Sequence, residues 1–269
     1  MRALRSPRFV LLACLLTSPL APPLAPPLAA QATLPANGQA VLERMRAAYG
    51  GRWYASLTFE QKTTLKRADG SDTIQTWYES LRYSPERGTV LRIDVAPLAA
   101  GNGSLSTWDS TYVVRGGKVA ATRASGNPFL PFIESVYLQP AERTAKEIAP
   151  LGMDLSKVRA DTWDGRAAWV VGAAAGDSTS AQFWVDVERQ VVVRMIVATA
   201  PGRPPLDIRL MGYEKTGGGW LATKIEMYSG GVKRQGEDYS DWKTGLPLRP
   251  ELFEASKWSE APHWAKGND

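Results

Sequence analysis

The chain of 269 residues holds one cysteine, Cys14, and one histidine, His263. Cys14 falls in an N-terminal stretch expected to be removed, which leaves the folded protein no disulfide, no thiol nucleophile and no thiolate metal site. His263 stands in the terminal tail, where chains are commonly poorly ordered, and this argues against a histidine-dependent triad or histidine metal site. No run beyond the leader approaches the ~18 apolar residues of a membrane-spanning helix. Charge of one sign is also scarce. The formal net charge is +5, and removal of Arg2, Arg5 and Arg8 with the leader brings it to +2, which gives no electrostatic case for nucleic acid as a partner.

What is present begins with "MRALRSPRFVLLACLL", three arginines ahead of an apolar run from Phe9 to Leu16, with small residues following at "LAAQAT". This is the layout of a secretory signal. Ala30, Gln31 and Ala32 fit an A-x-A cleavage site. Residues 1–32 are therefore expected to be a cleaved signal, 33–258 one domain and 259–269 a C-terminal tail. Leu12, Ala13 and Cys14 loosely resemble a lipobox, and the alternative they offer is a lipid anchor on Cys14. The apolar run ahead of Cys14 is shorter than the usual h-region of roughly 7 to 15 residues. The mature chain of about 235 residues suffices for one β-rich domain, exported to an extracytoplasmic space such as the periplasm.

Asn37 to Tyr49 reads as a helix, with Val41, Leu42, Met45, Ala48 and Tyr49 on one face, Asn37 as cap and Gly50-Gly51 as stop. The period then changes to two. Leu57, Phe59 and Leu65 alternate with polar residues, the turn "ADGSD" follows, and Trp77, Leu81 and Tyr83 share a face. Leu91, Ile93 and Val95 point one way, and Gly116-Gly117 sits where a tight hairpin turn belongs. Alternating segments resume from "AAWVVGA" to "EDYSDW". The expected fold is mainly β with some α: a single curled antiparallel sheet of about 10 to 11 strands, an incomplete open barrel, with an N-terminal helix and a helical lid or plug.

The plug is read from "GNPFLPFIESVYLQP". Phe129, Phe132, Ile133, Val136 and Tyr137 stand at i, i+3, i+4, i+7 and i+8, one helical stripe, with Glu134 and Ser135 off it. Asn127 is a natural N-cap and Pro128 a natural first helical residue, while Pro131 still falls in the first turn. "AERTAKEIAP" reads as a second, more polar helix beside it.

Candidate catalytic pairs fail one by one. Asp161 and Asp164 in "ADTWDGRA" belong to a D-G turn. Asp238 and Asp241, three apart in an expected strand, are placed on opposite faces. "TGGGW" lacks the lysine and the following helix of a phosphate loop and reads as a hairpin turn. No catalytic residues, no metal ligands and no cofactor are expected. The ten tryptophans, from Trp53 to Trp264, either pack the core or line an apolar cavity, and in a curled sheet the two overlap.

The order of the leader, the N-terminal helix, "LTFEQKTT", "WYESLRYSPERG", "DSTYVVRGGKVAATR" and "GNPFLPFI", ending in "GWLATKIEMYSGG" and "LPLRPELF", resembles the outer-membrane lipoprotein-sorting proteins, the LolA-like family, over nearly the whole mature chain. The resemblance implies an incomplete antiparallel barrel with a helical lid, whose cavity takes the acyl chains of a lipoprotein across the periplasm without catalysis. The lipid-binding residues it implies are Phe129, Phe132, Ile133, Val136 and Tyr137 from the lid, with Trp77, Leu81, Leu91 and Ile93 from the strands. Implied partners are lipoprotein acyl chains or another lipid, an inner-membrane release complex and an outer-membrane receptor, with the protein a monomer. One position departs from the family: its lid-locking arginine is matched by Ser84, ahead of Pro85, with Arg82 as the nearby substitute. The alternative function is a sensor or interaction module of the same fold that detects lipoprotein or lipid and binds a protein partner. N-terminal sequencing of the exported protein is expected to find a start near Thr33, and an acylated Cys14 at the N-terminus would show a membrane-anchored form instead.

Overall fold

The computed structural model describes residues 33–199, 202–261 and 263–265. The expected leader and Cys14 lie outside them. Helix α1 (Gly38–Tyr49) is capped by the Asn37 side chain, which accepts from the Ala40 N–H at 2.9 Å, and is ended by Gly50 at φ 48°. Val41, Leu42, Met45 and Tyr49 form its buried face, whereas Ala48, expected on that face, is exposed.

Six strands follow: β1 (Ser56–Lys66), β2 (Asp72–Ser84), β3 (Gly88–Val95), β4 (Asn102–Ser106), β5 (Thr111–Arg115) and β6 (Lys118–Arg123). The chain then crosses through a π-helical turn (Pro131–Ser135), the short α2 (Val136–Leu138) and α3 (Ala141–Ile148). Seven more strands complete it: β7 (Val158–Trp163), β8 (Arg166–Val171), β9 (Gln182–Asp186), β10 (Val191–Val197), β11 (Leu206–Thr216), β12 (Gly219–Ser229) and β13 (Val232–Thr244).

All thirteen form one antiparallel sheet in the order β6-β5-β4-β3-β2-β1-β13-β12-β11-β10-β9-β8-β7, open between β6 and β7. The count exceeds the expected 10 to 11 for a physical reason. The polar β4 (NGSLS) has Leu105 as its one large apolar residue and the edge strand β7 has no buried residue, so neither shows apolar alternation.

Register is fixed by short turns in which both central residues have positive φ, as the right-handed twist of a hairpin favours. Asp164 (φ 49°) and Gly165 (φ 73°) join β7 to β8, which gives "ADTWDGRA" its turn role. Gly116-Gly117 and Gly217-Gly218 do the same for β5–β6 and β11–β12. One expectation is corrected at Asp241. Its φ of 52° marks a bulge opposite Thr58–Glu60, and the extra residue resets the alternation. Asp238 and Asp241 are consequently both exposed, not on opposite faces.

A single sheet has two faces to satisfy. The concave face is covered by α1, the π-helical turn, α2 and α3. On the convex face, Leu252, Phe253 and Trp258 pack on Val90, Leu105 and Val114 as a second small core. Beneath them Arg92 and Asp94 form a buried ion pair at 2.7 Å, and the Arg92 guanidinium lies 3.8 Å from the centre of the Trp258 ring. Residues of the expected tail continue this cover. His263 Nε2 meets Asp94 Oδ2 at 3.0 Å, and Trp264 Nε1 donates to Ser80 Oγ at 2.7 Å. Burial alone would push the Asp94 carboxyl up, but His263 and Arg92 outweigh it and hold it below its ordinary range. Further along, Arg159, Arg194 and Arg209 interleave with Trp184, Trp163 and Tyr228, so the convex face there is shielded by guanidinium–ring contacts.

Trp258→Ala removes a fully packed ring and uncovers the Arg92 guanidinium. It is expected to cost about 3 kcal/mol or more of stability, read as a lower urea midpoint.

Candidate functional site: an apolar cavity under a helical plug

The plug does not form as one regular α-helix. Asn127 Oδ1 accepts from the Phe129 N–H at 2.9 Å in a local turn, and the helical path starts only at Leu130. Val136 N–H then donates to Pro131 O, five residues back, the mark of a π-helical turn. The widened turn changes which residues face inward. Glu134 and Ser135, expected off the stripe, are buried at 1% and 2% exposure. Phe132 is fully buried and its ring centre lies 4.9 Å from that of Phe183 on β9.

Between plug and sheet lies a cavity of about 180 Å³. Of the residues expected at the site, Phe129, Phe132, Ile133 and Tyr137 line it from the plug, and Trp77, Leu81, Leu91 and Ile93 from β2 and β3. Val136 is fully buried but belongs to the surrounding core and not to the lining. The far wall is supplied by Leu57 and Phe59 on β1, Leu210 and Tyr213 on β11, Trp220 and Ile225 on β12, and Tyr239 on β13. At the plug end, Trp53 stacks on Tyr137 with ring centres 3.7 Å apart, and Tyr49 meets both edge-on.

Sequence reasoning missed the polar part of this site. Glu79, Glu134 and Glu237 all line the cavity and are each 5% exposed or less. Glu134 Oε2 accepts from Trp53 Nε1 at 2.9 Å, and burial pushes its carboxyl up to about 8, partly offset by Trp53 and Tyr54. Glu237 accepts from Tyr239 OH at 2.7 Å and Gln235 Nε2 at 2.5 Å, and burial still raises it. Glu79 is raised well above its ordinary value by burial and then by Glu237. A signal for two of them exists in the sequence. Glu79 interrupts the inward series Trp77–Leu81, and Glu237 shares a face with Gln235 and Tyr239. Glu134 carries no such signal, because the α-helical period places it outside.

The plug is tied to the sheet by few polar contacts. Besides Trp53–Glu134, Ser135 Oγ donates to Thr89 Oγ1 at 2.8 Å and Tyr137 OH donates to Gln190 O at 3.1 Å. In α3, Arg143 pairs with Glu147 at 3.0 Å and donates to Pro85 O. The expected substitute for the family's lid arginine is not there. Arg82 and Ser84 lie along the convex-side groove with Arg87 and Phe253, because even-numbered residues of β2 face away from the helices. Arg143, from the helix itself, makes the connection to the segment after β2.

The Glu134 carboxyl binds its proton more tightly folded than unfolded. Its contribution to stability is whole below its ordinary value of 4.5 and is lost as pH rises through about 8. Unfolding free energy is thus expected to decline between those values, by an amount on the order of a few kcal/mol. Glu134→Gln keeps an acceptor for Trp53 and should flatten that decline in urea titrations run across pH, leaving the residue due to Glu79 and Glu237. Identical slopes in the two proteins would refute the assignment.

No protein-family model matches the sequence, and no curated protein matches it. Solved structures do. A putative outer membrane lipoprotein-sorting protein domain from Vibrio parahaemolyticus aligns with a TM-score of 0.56 at 12% identity, over 81% of this chain and 96% of that one. A DUF1329 family protein from Desulfovibrio piger gives 0.54 at 15% identity, over 81% and 95%. A LolA superfamily protein from Nitrosomonas europaea gives 0.49 at 14% identity, over 81% and 97%. At such identities the likeness is one of fold: this chain shares the fold of the lipoprotein-sorting protein domain and of the DUF1329 family protein.

Proposed function

We propose that this protein is a periplasmic carrier, without catalysis, that shelters an apolar chain of a lipid or lipoprotein in the cavity during transfer toward the outer membrane. The observation that carries the reading is the cavity itself: concave, lined mainly by aromatic and aliphatic side chains, and closed by a separate helical segment. Pockets of that character are the usual sites for apolar ligands. The shared fold with a lipoprotein-sorting domain supports the same reading. On this reading Phe129, Phe132, Ile133, Tyr137, Trp77, Leu81, Leu91 and Ile93 contact the chain, while Val136 braces the plug from behind.

Size sets a condition. A dry cavity of about 150 Å³ is enough for benzene, so about 180 Å³ admits a ring or a short length of alkyl chain. A full acyl chain enters only if the π-helical turn and α2 move away from the sheet. Each apolar contact they give up is replaced by one with the chain, at roughly 25 cal/mol per Å² of buried area.

The uncharged fluorescent probe N-phenyl-1-naphthylamine is expected to bind the purified protein with a blue-shifted emission. Phe129→Ser combined with Ile133→Ser changes two half-buried lining residues and should weaken binding about tenfold or more, with little change in urea midpoint. A wild-type protein that binds no probe would refute the carrier reading.

A further inference from the structure

The lining of the cavity has an uncompensated charge pattern. It contains three glutamates, Glu79, Glu134 and Glu237, and no lysine, arginine or histidine. Two of the three have their oxygens engaged, Glu134 by Trp53 and Glu237 by Gln235 and Tyr239. Glu79 differs. It is 4% exposed, lines the cavity, and has no hydrogen-bond or ionic partner among the described residues. A buried carboxyl without a partner costs stability that a ligand donor would restore.

The placement of Glu79 is set by the sheet. It faces inward from β2 opposite Phe59 of β1, and Glu237 faces inward from β13 opposite Thr63 of the same strand. The two acids thus flank β1 on one wall. The rings of Phe59 and Tyr239 lie beside them, with centres 4.8 Å apart. Carboxyl groups set among aromatic faces, with no protein cation beside them, are complementary to a cationic group on an apolar body, whose charge favours their ionised form once it is bound. A fatty-acid carboxylate is disfavoured here, because it would be buried in an apolar enclosure whose lining has no cation to pair with it.

We propose that the cavity selects an amphiphile bearing a primary ammonium group, which Glu79 holds, with Glu237 four residues further along β1 adding to the acidic wall, while its alkyl part lies against Trp77, Leu91 and Ile93. This rests on the reading of the cavity as an apolar-ligand site. Of the ammonium's three N–H donors, Glu79 takes one that nothing in the protein supplies.

Displacement of bound N-phenyl-1-naphthylamine by a matched eight-carbon series tests both levels. At pH 7 octylamine is expected to displace the probe at a concentration about tenfold lower than 1-octanol, with octanoate the weakest. Glu79→Gln should bring the amine-to-alcohol ratio close to one, and Glu237→Gln should reduce it. The exposed Glu214→Gln is the control that keeps the wild-type ratio. Octanol or octanoate equal to octylamine in the wild type, or an undiminished ratio in folded Glu79→Gln, overturns the proposal while the apolar site stands. If none of the three displaces the probe, the apolar-site reading fails too.

Discussion

Everything in this fold answers to one constraint: an antiparallel sheet of thirteen strands that does not close must bury its concave face with something other than itself. Pairing of β1 with β13 brings the first and last strands together in the middle of the sheet, which leaves β6 and β7 as its two edges. The connection between those edges therefore has to cross the concave side. Its sequence is apolar at Phe129, Leu130, Phe132, Ile133, Val136, Tyr137 and Leu138 because, together with α1, it must satisfy that face. The segment that completes the core is consequently also the wall of the cavity.

The polar groups inside the cavity follow a different logic. An ionised carboxylate in an apolar enclosure is far costlier than a neutral acid. Burial moves Glu79, Glu134 and Glu237 in the same direction, toward the protonated form. The surrounding donors are chosen to match. Trp53, Gln235 and Tyr239 are uncharged, so they stabilise an acid without forcing it to ionise. By contrast, the convex side uses full charges, as in Arg92–Asp94, where rings and carbonyl groups close around a compensated ion pair that His263 also hydrogen-bonds. The two faces of one sheet thus carry opposite electrostatic solutions.

Much of this was legible from residue spacing. Helix α1, the D-G and G-G turns and the period-two strands follow from local rules that tertiary packing did not override. So does the assignment of Trp77, Leu81, Leu91 and Ile93 to one inward face. The misreadings have local causes as well. β4 and β7 show no alternating apolar pattern, and Asp241 switches faces because a bulge is invisible to a period of two. Glu134 is the instructive case. Its inward position depends on a π-helical turn, and no count of three or four residues finds a group placed by a bond five residues long. His263, set aside for its position in the tail, turns out to hydrogen-bond Asp94 of the buried Arg92–Asp94 pair on β3.

On the proposed carrier function, opening of the cavity is governed by contacts of unequal kind. The apolar contacts between plug and sheet are non-directional, and an alkyl chain entering the cavity reproduces them with little net change in buried area. The hydrogen bonds are not reproduced in that way. Trp53–Glu134, Ser135–Thr89 and Tyr137–Gln190 each tie one residue of the plug to one place on the body, and an alkyl chain offers no donor or acceptor to replace them. The free energy of opening is therefore concentrated in these few polar ties and the Trp53–Tyr137 stack, while the apolar bulk of the plug sets what can take its place.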